Sequence, residues 1–294
     1  MNFSDKLIMK TREIGAPLCL GLDPHPKLIP KLFLEKESKI TIKSIENFLI
    51  EVINLAIGRI VAIKPQVAFF ELLGPKGMNL LLKISKYARK NNLIVIMDAK
   101  RGDIGSTSIA YANAWLGENA TFPSDALTIN PWMGLESIKP FIEQANLTNS
   151  GVFILLRTSN SGAEDIQEQF INKERLYIYL ARKLKPIINK YTGDLGYSNI
   201  GVVIGAKSQN QAIEIRKILH NSLFLVPGFG AQGGTAKQAL SGLVINNKAF
   251  EGGVINCSRN LLFPQNAQKT NSLIGWRKEI SKSIKKTYQQ LLIN

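Results

Sequence analysis

Eight short apolar runs recur along the 294-residue chain and alternate with segments of helical periodicity. They are "PLCLGLD" (17–23), "IVAIKPQ" (60–66), "LIVIMDAK" (93–100), "ALTIN" (126–130), "GVFILLRT" (151–158), "IGVVIGAK" (200–207), "LFLVPG" (223–228) and "GGVINCSR" (252–259). Their near-continuous apolarity implies strands covered on both faces, which is the habit of parallel sheets. The intervening segments supply the coverings. "TIKSIENFLIEVINLAIGR" places Ile42, Ile45, Leu49, Val52, Ile53 and Ala56 on one helical face. "SQNQAIEIRKILHN" opens on Ser208 and "TAKQALSGLVINN" on Thr235, both suited to an N-cap. "EDIQEQFINKERLYIYLARKLKPIINKY" is long enough to carry extra helix after the fifth strand. Eight such units without a break in composition favour one domain, 1–294, folded as a single (β/α)8 barrel. A doubly wound open sheet shares the local pattern and stays open as an alternative, because closure is not a local property.

The strand ends carry more information than their middles. Charged or polar groups follow the apolar runs at Asp23, Lys64, Asp98, Lys100, Arg157, Thr158, Ser159, Ser258 and Arg259. In a closed barrel of this type the C-terminal mouth gathers such residues from distant parts of the chain. The densest cluster lies in "LIVIMDAKRGDIGST" (93–107), where two acids and two bases fall between Asp98 and Asp103. Strand alternation directs Asp98 and Lys100 to the same side, about 7 Å apart along the strand. A carboxylate and an ammonium so placed perturb each other's ionisation, a mark of functional sites. After the seventh strand, "PGFGAQGG" (227–234) offers four glycines ahead of a helix, and Arg259 ends the neighbouring strand. Such a pairing suits a phosphate.

The net charge of +15 raises the possibility of nucleic acid. The lysines, however, are dispersed over helix faces. In "WRKEISKSIKKTYQQLLIN", Trp276, Ile280, Ile284, Tyr288 and Leu291 recur at helical spacing with lysines mostly between them. A solvated basic surface that raises the local concentration of an anionic substrate accounts for this better than a base-stacking platform. Two histidines, His25 and His220, exclude a three-histidine metal centre. Cys19 and Cys257 sit in apolar runs and read as core thiols of a reducing cytoplasm. No apolar run reaches the length of a membrane span, and the N-terminus shows no targeting segment.

Taken in order, "LCLGLDPHP", "IKPQVAFFE", "MDAKRGDIGST", "INPWMG", "RTSNSGAED", "PGFGAQGG" and "INCSRNLLF" resemble the orotidine 5′-phosphate decarboxylases, more closely their longer bacterial branch. The most specific element is the Asp-x-Lys-x-x-Asp run with a lysine on the second strand. The resemblance implies a dimeric barrel that converts orotidine 5′-phosphate to uridine 5′-phosphate without metal or organic cofactor. It implies that Asp23 binds a ribose hydroxyl and that Lys64, Asp98, Lys100 and Asp103 form a charged array. Lys100 would be the proton donor, and Asp103 and Thr107 would reach the partner subunit's site. Ser159 would bind the pyrimidine, and Gln232 and Arg259 the phosphate. The chain departs from the family's pattern at Ser161, where Pro is usual, and at Lys207, where Thr is commoner.

Rival readings are a sugar-phosphate decarboxylase that needs Mg2+, a Schiff-base aldolase, and a basic RNA-binding protein without catalysis. Sensitivity to EDTA, trapping by borohydride and salt-dependent RNA affinity distinguish them.

Overall fold

Strands β1 (Leu18–Leu22), β2 (Ala62–Pro65), β3 (Ile94–Arg101), β4 (Ala126–Ile129), β5 (Gly151–Arg157), β6 (Ser198–Ile204), β7 (Ser222–Val226) and β8 (Gly253–Cys257) pair in chain order. All eight pairings are parallel, and β8 returns to β1 through Leu18↔Ile255, Cys19↔Asn256 and Leu20↔Cys257. That last pairing decides between the two sheet architectures: the barrel is closed. The computed structural model describes residues 1–35, 39–230, 233–246 and 249–293.

Two apolar layers follow from strand alternation. Outward side chains such as Leu20, Ile63, Val95 and Leu127 pack under the surrounding helices. Inward ones such as Cys19, Ile96, Phe153 and Val254 fill the barrel. Helix α1 (Phe3–Ile14) adds Phe3, Leu7 and Ile8 to the inner layer and plugs the N-terminal end. Phe3 meets Phe153 edge-on at 6.0 Å between ring centroids. Gly151 makes this possible, since a Cβ there would lie 2.2 Å from the Phe3 ring. Asp5 fixes the plug by accepting the backbone N–H groups of Asp194 (3.1 Å) and Leu195 (2.8 Å) just ahead of β6. With one end sealed by hydrocarbon, the open space of the barrel lies at the C-terminal mouth.

The helix α2 (Ile42–Ala56) begins with a reciprocal capping box between Thr41 and Ser44, and buries Ile45, Phe48, Leu49, Val52, Ile53 and Ala56. Ile42, expected on that face, is only half-buried, while Phe48 belongs to it. Two other segments differ in detail from their sequence pattern. The segment after β5 does carry extra helix, but a hairpin interrupts it. It forms a short helix (Ala163–Ile166), then a hairpin of Phe170–Ile171 with Glu174–Arg175, and then the long helix Leu176–Lys190. Asn172 and Lys173 take φ of 48° and 69°, the left-handed pair that a two-residue hairpin turn requires. Likewise "TAKQALSGLVINN" is helical only over Ala236–Leu240; beyond Gly242, Val244–Asn246 pairs antiparallel with Ala249–Glu251. Gly242 packs where a Cβ would lie 2.9 Å from the Phe224 ring, and the branched residues after it favour extended backbone. The C-terminal helix, Leu273–Gln289, buries Trp276, Ile280 and Ile284 as its periodicity predicts, with Leu291 buried just beyond its end.

Candidate active site

At the mouth of the barrel, β2 and β3 present Lys64 and Asp98 side by side, exposed by 3% and 6%. Each Asp98 carboxylate oxygen has two donors. Oδ2 accepts from Lys64 Nζ, in a short contact, and from Gln66 Nε2 at 3.1 Å. Oδ1 accepts from Lys100 Nζ at 2.5 Å and from Thr128 Oγ1 at 3.2 Å. Burial alone would raise the Asp98 pKa, but the charges of Lys64 and Lys100 and their hydrogen bonds outweigh it. The carboxyl is held well below the usual carboxylate range. For Lys64, burial pulls the pKa down, and the negative charges of Asp98 and Asp23 more than reverse this, so it is raised. Lys64 and Asp98 are therefore a charged pair at neutral pH, although nearly dry.

The backbone at Lys100 is not that of a regular strand. Between Met97↔Leu127 and Arg101↔Ile129, β3 advances four residues while β4 advances two. Lys100 takes φ of 51°, a left-handed conformation that costs a non-glycine residue about 1–3 kcal/mol. Its N–H donates to Thr128 Oγ1 at 2.9 Å. Asp98 and Lys100 do meet as the sequence suggests, but through this bulge rather than through simple alternation.

These groups line a cavity of about 510 Å³, which also receives Asp23, Ser159 and Arg259 from the ends of β1, β5 and β8. Thr158 and Ser258 face it too. Arg157 does not. It is buried and turned to Glu168 at 2.7 Å, tying the inserted segment after β5 back to the barrel. Asp103 and Thr107 do not line the cavity of their own chain. Asp103 Oδ1 accepts the N–H of Ile104 at 2.8 Å, and Thr107 is exposed near the start of the helix Gly105–Trp115. Gln232 lies outside the described residues. Lys207 is exposed and flanks Gly233.

Several lining residues are absent from the sequence-based set: His25, Gln66, Thr128, Asn160, Gln167 and Asn256. Asn256 is the most telling. The Oδ1 atoms of Asp23 and Asn256 and Oγ of Ser258 are buried without a hydrogen-bond partner among the described residues. Buried polar atoms without a protein partner are costly, which suits these three, on the cavity wall, to polar contact with a ligand. Gly21 makes room for them, because a Cβ there would lie 2.7 Å from Ser258 Cβ and 2.9 Å from Asn256 Oδ1. A single amide in the apolar run "GGVINCSR" was the available signal.

The profile of the orotidine 5′-phosphate decarboxylase / HUMPS family matches residues 16–270, from just ahead of β1 to beyond β8. The chain belongs to this family. An orotidine 5′-phosphate decarboxylase of Rhodopirellula baltica is 38% identical over 272 residues, covering 90% of this chain and 89% of that protein. One of Clostridium tetani is 37% identical over 295 residues, covering 95% and 98%. The structure of Leishmania donovani OMP decarboxylase superposes with a TM-score of 0.72 at 27% identity, covering 98% of this chain and 99% of that one. The likeness to this orotidine 5′-phosphate decarboxylase structure thus takes in the α1 plug and the C-terminal helix as well as the barrel.

Proposed function

We propose that the protein decarboxylates orotidine 5′-phosphate to uridine 5′-phosphate in pyrimidine biosynthesis, as one barrel domain, 1–294, working as a cytoplasmic homodimer. The observation that carries this reading is the Lys64–Asp98–Lys100 array at the floor of the mouth. In the proposed pose Ser159 contacts the pyrimidine, Asp23 accepts from a ribose hydroxyl, and Arg259 with the glycines after β7 holds the phosphate. The substrate carboxylate then lies against Asp98 and Lys100.

The chemistry follows from the charges. Asp98 stays ionised and repels the substrate carboxylate, which favours its departure. When the bond from C6 to the carboxylate breaks, CO2 leaves and the electron pair remains on C6, in the ring plane, with no adjacent carbonyl to accept it. Lys100 supplies a fixed positive charge for that pair and then transfers a proton from Nζ to C6. Solvent returns a proton to the lysine. Lys64, on the far side of Asp98, keeps the carboxylate charged and in place. Contacts at the phosphate end supply binding energy that is used at the reacting carbon. No metal, organic cofactor, nucleic acid or membrane enters this scheme.

Asp103 and Thr107 are assigned to the partner's site, which accounts for their place away from the cavity of their own chain. The loss of the substrate's ultraviolet absorbance on adding protein in EDTA tests the reading. Turnover unaffected by EDTA or borohydride supports it. EDTA-sensitive turnover, or borohydride trapping, favours the metal-dependent or Schiff-base rivals. Lys64, held charged by Asp98 and Asp23, is itself unsuited to the Schiff-base role, which needs a neutral amine.

A further inference from the structure

Thr128 occupies a position on β4 where one hydroxyl serves two groups of the array. It is buried, at 1% exposure. Its Oγ1 accepts the backbone N–H of Lys100 at 2.9 Å and donates to Asp98 Oδ1 at 3.2 Å. The first bond stands at the bulge, where β3 falls out of register with β4 and Lys100 adopts its left-handed backbone. The second orients the same carboxylate oxygen that Lys100 Nζ contacts. A residue in an unfavourable backbone region persists only where its surroundings hold it there. The N–H of Lys100 has left the regular ladder, and the Thr128 hydroxyl gives it a partner.

We infer that Thr128 is a positioning residue for proton transfer: its hydroxyl bridges the Lys100 backbone and the Asp98 carboxylate and thereby sets where Nζ stands. This rests on the decarboxylase reading above. Thr128 need not touch the substrate. Without the hydroxyl, the Lys100 N–H and Asp98 Oδ1 each lose a partner, and the bulge is free to relax toward a regular strand. Nζ would then shift relative to C6, and a shift of about 1 Å can cost on the order of 10²-fold in rate.

The test uses three variants of the full chain. Thr128→Ser keeps the hydroxyl and loses the methyl group. Thr128→Ala differs from it by one oxygen, and Thr128→Val keeps the volume without the hydroxyl. If the hydroxyl positions Lys100, Ala and Val lower kcat by about tenfold or more with KM within about threefold, and Ser stays within about threefold of the parent. A role in packing alone would make the rate follow side-chain volume, with Val near the parent. A second readout isolates the proton. By microscopic reversibility the group that protonates C6 also removes that proton, so exchange of the C6 hydrogen of uridine 5′-phosphate in D2O reports the placement of Lys100. Exchange should fall in Ala by a factor similar to kcat and be retained in Ser. The Ser and Ala pair decides the matter even if Val fails to fold. Equal rates in Ser and Ala, or a fall in kcat without a fall in exchange, overturn the role of Thr128. Absence of turnover in the unmodified protein would instead overturn the decarboxylase reading.

Discussion

Lys64 and Asp98 form an ion pair whose side chains are exposed by only 4% and 9%, and Asp98 bears a second ammonium, that of Lys100, on its other oxygen. Charges so nearly dry are stable only while both are present. Removing one partner of a buried pair typically costs about 3–5 kcal/mol, because the other is left uncompensated.

Asp98→Asn should therefore be less stable than the parent, in a way that depends on pH. In the parent, the depressed Asp98 pKa contributes stability that is present above about pH 3.9 and is lost as pH falls through the folded value. The raised Lys64 pKa contributes stability that is present below about pH 10.4 and is lost as pH rises through its folded value. In the variant, burial acts on Lys64 without its main counter-charge, so the folded pKa drops below the unfolded one. The penalty is then largest at low pH and eases as the amine loses its proton. Urea denaturation at about pH 7 and about pH 10 should show the deficit narrowing. A deficit that is the same at both would mean that Lys64 is not charged by virtue of Asp98.

The barrel itself was largely legible in the sequence, because a doubly covered strand needs an unbroken apolar run and each of the eight runs overlaps a barrel strand. Closure was not, since the β1–β8 pairing joins Leu18 to Ile255 across almost the whole chain. In the site, Asp23, Lys64, Asp98, Lys100, Ser159 and Arg259 were readable as polar groups at strand ends. Thr128 and Asn256 do not stand out in the sequence, because one polar residue inside an apolar strand is common in cores. Their meaning lies in what folding brings near: Asp98 and Lys100, which bond to the first, and Asp23 and Ser258, which line the same cavity as the second. The bulge at Lys100 was hidden for a different reason. Nothing in "MDAKRGD" marks the lysine as left-handed, and glycine, the usual occupant, is absent from that position.

Arg259 lines the same cavity from the start of the short helix Arg259–Leu262. If phosphate contacts serve the rate as well as binding, Arg259→Ala should lower kcat/KM by about 10²-fold or more, or about 2.7 kcal/mol of transition-state stabilisation. Steady-state kinetics with the intact nucleotide measure this directly. Efficiency within about threefold of the parent would remove Arg259 from the phosphate site.

Asp103 and Thr107 do not line the cavity of their own chain, and the proposed dimer gives them a function in the neighbouring one. Lys100→Ala and Asp103→Ala should each be nearly inactive alone. In an equal mixture with free subunit exchange, about half the dimers are mixed, and each of these has one site with both lesions and one with neither. Activity should return to roughly a quarter of the parent's. Exchange demonstrated by tagged subunits, with no recovery, would place Asp103 in the service of its own chain.

The account depends most on Lys100 delivering a proton to a carbon that has just lost CO2. Turnover of orotidine 5′-phosphate in D2O, followed by proton NMR, tests this most directly in the parent protein and in Lys100→Ala, with circular dichroism to verify that the variant is folded. The parent should release uridine 5′-phosphate carrying deuterium at C6, and the folded variant should give almost none. A folded Lys100→Ala protein that keeps about a tenth of the parent's rate, a loss of only about 1.4 kcal/mol, or a parent protein that leaves the nucleotide unchanged, would contradict it.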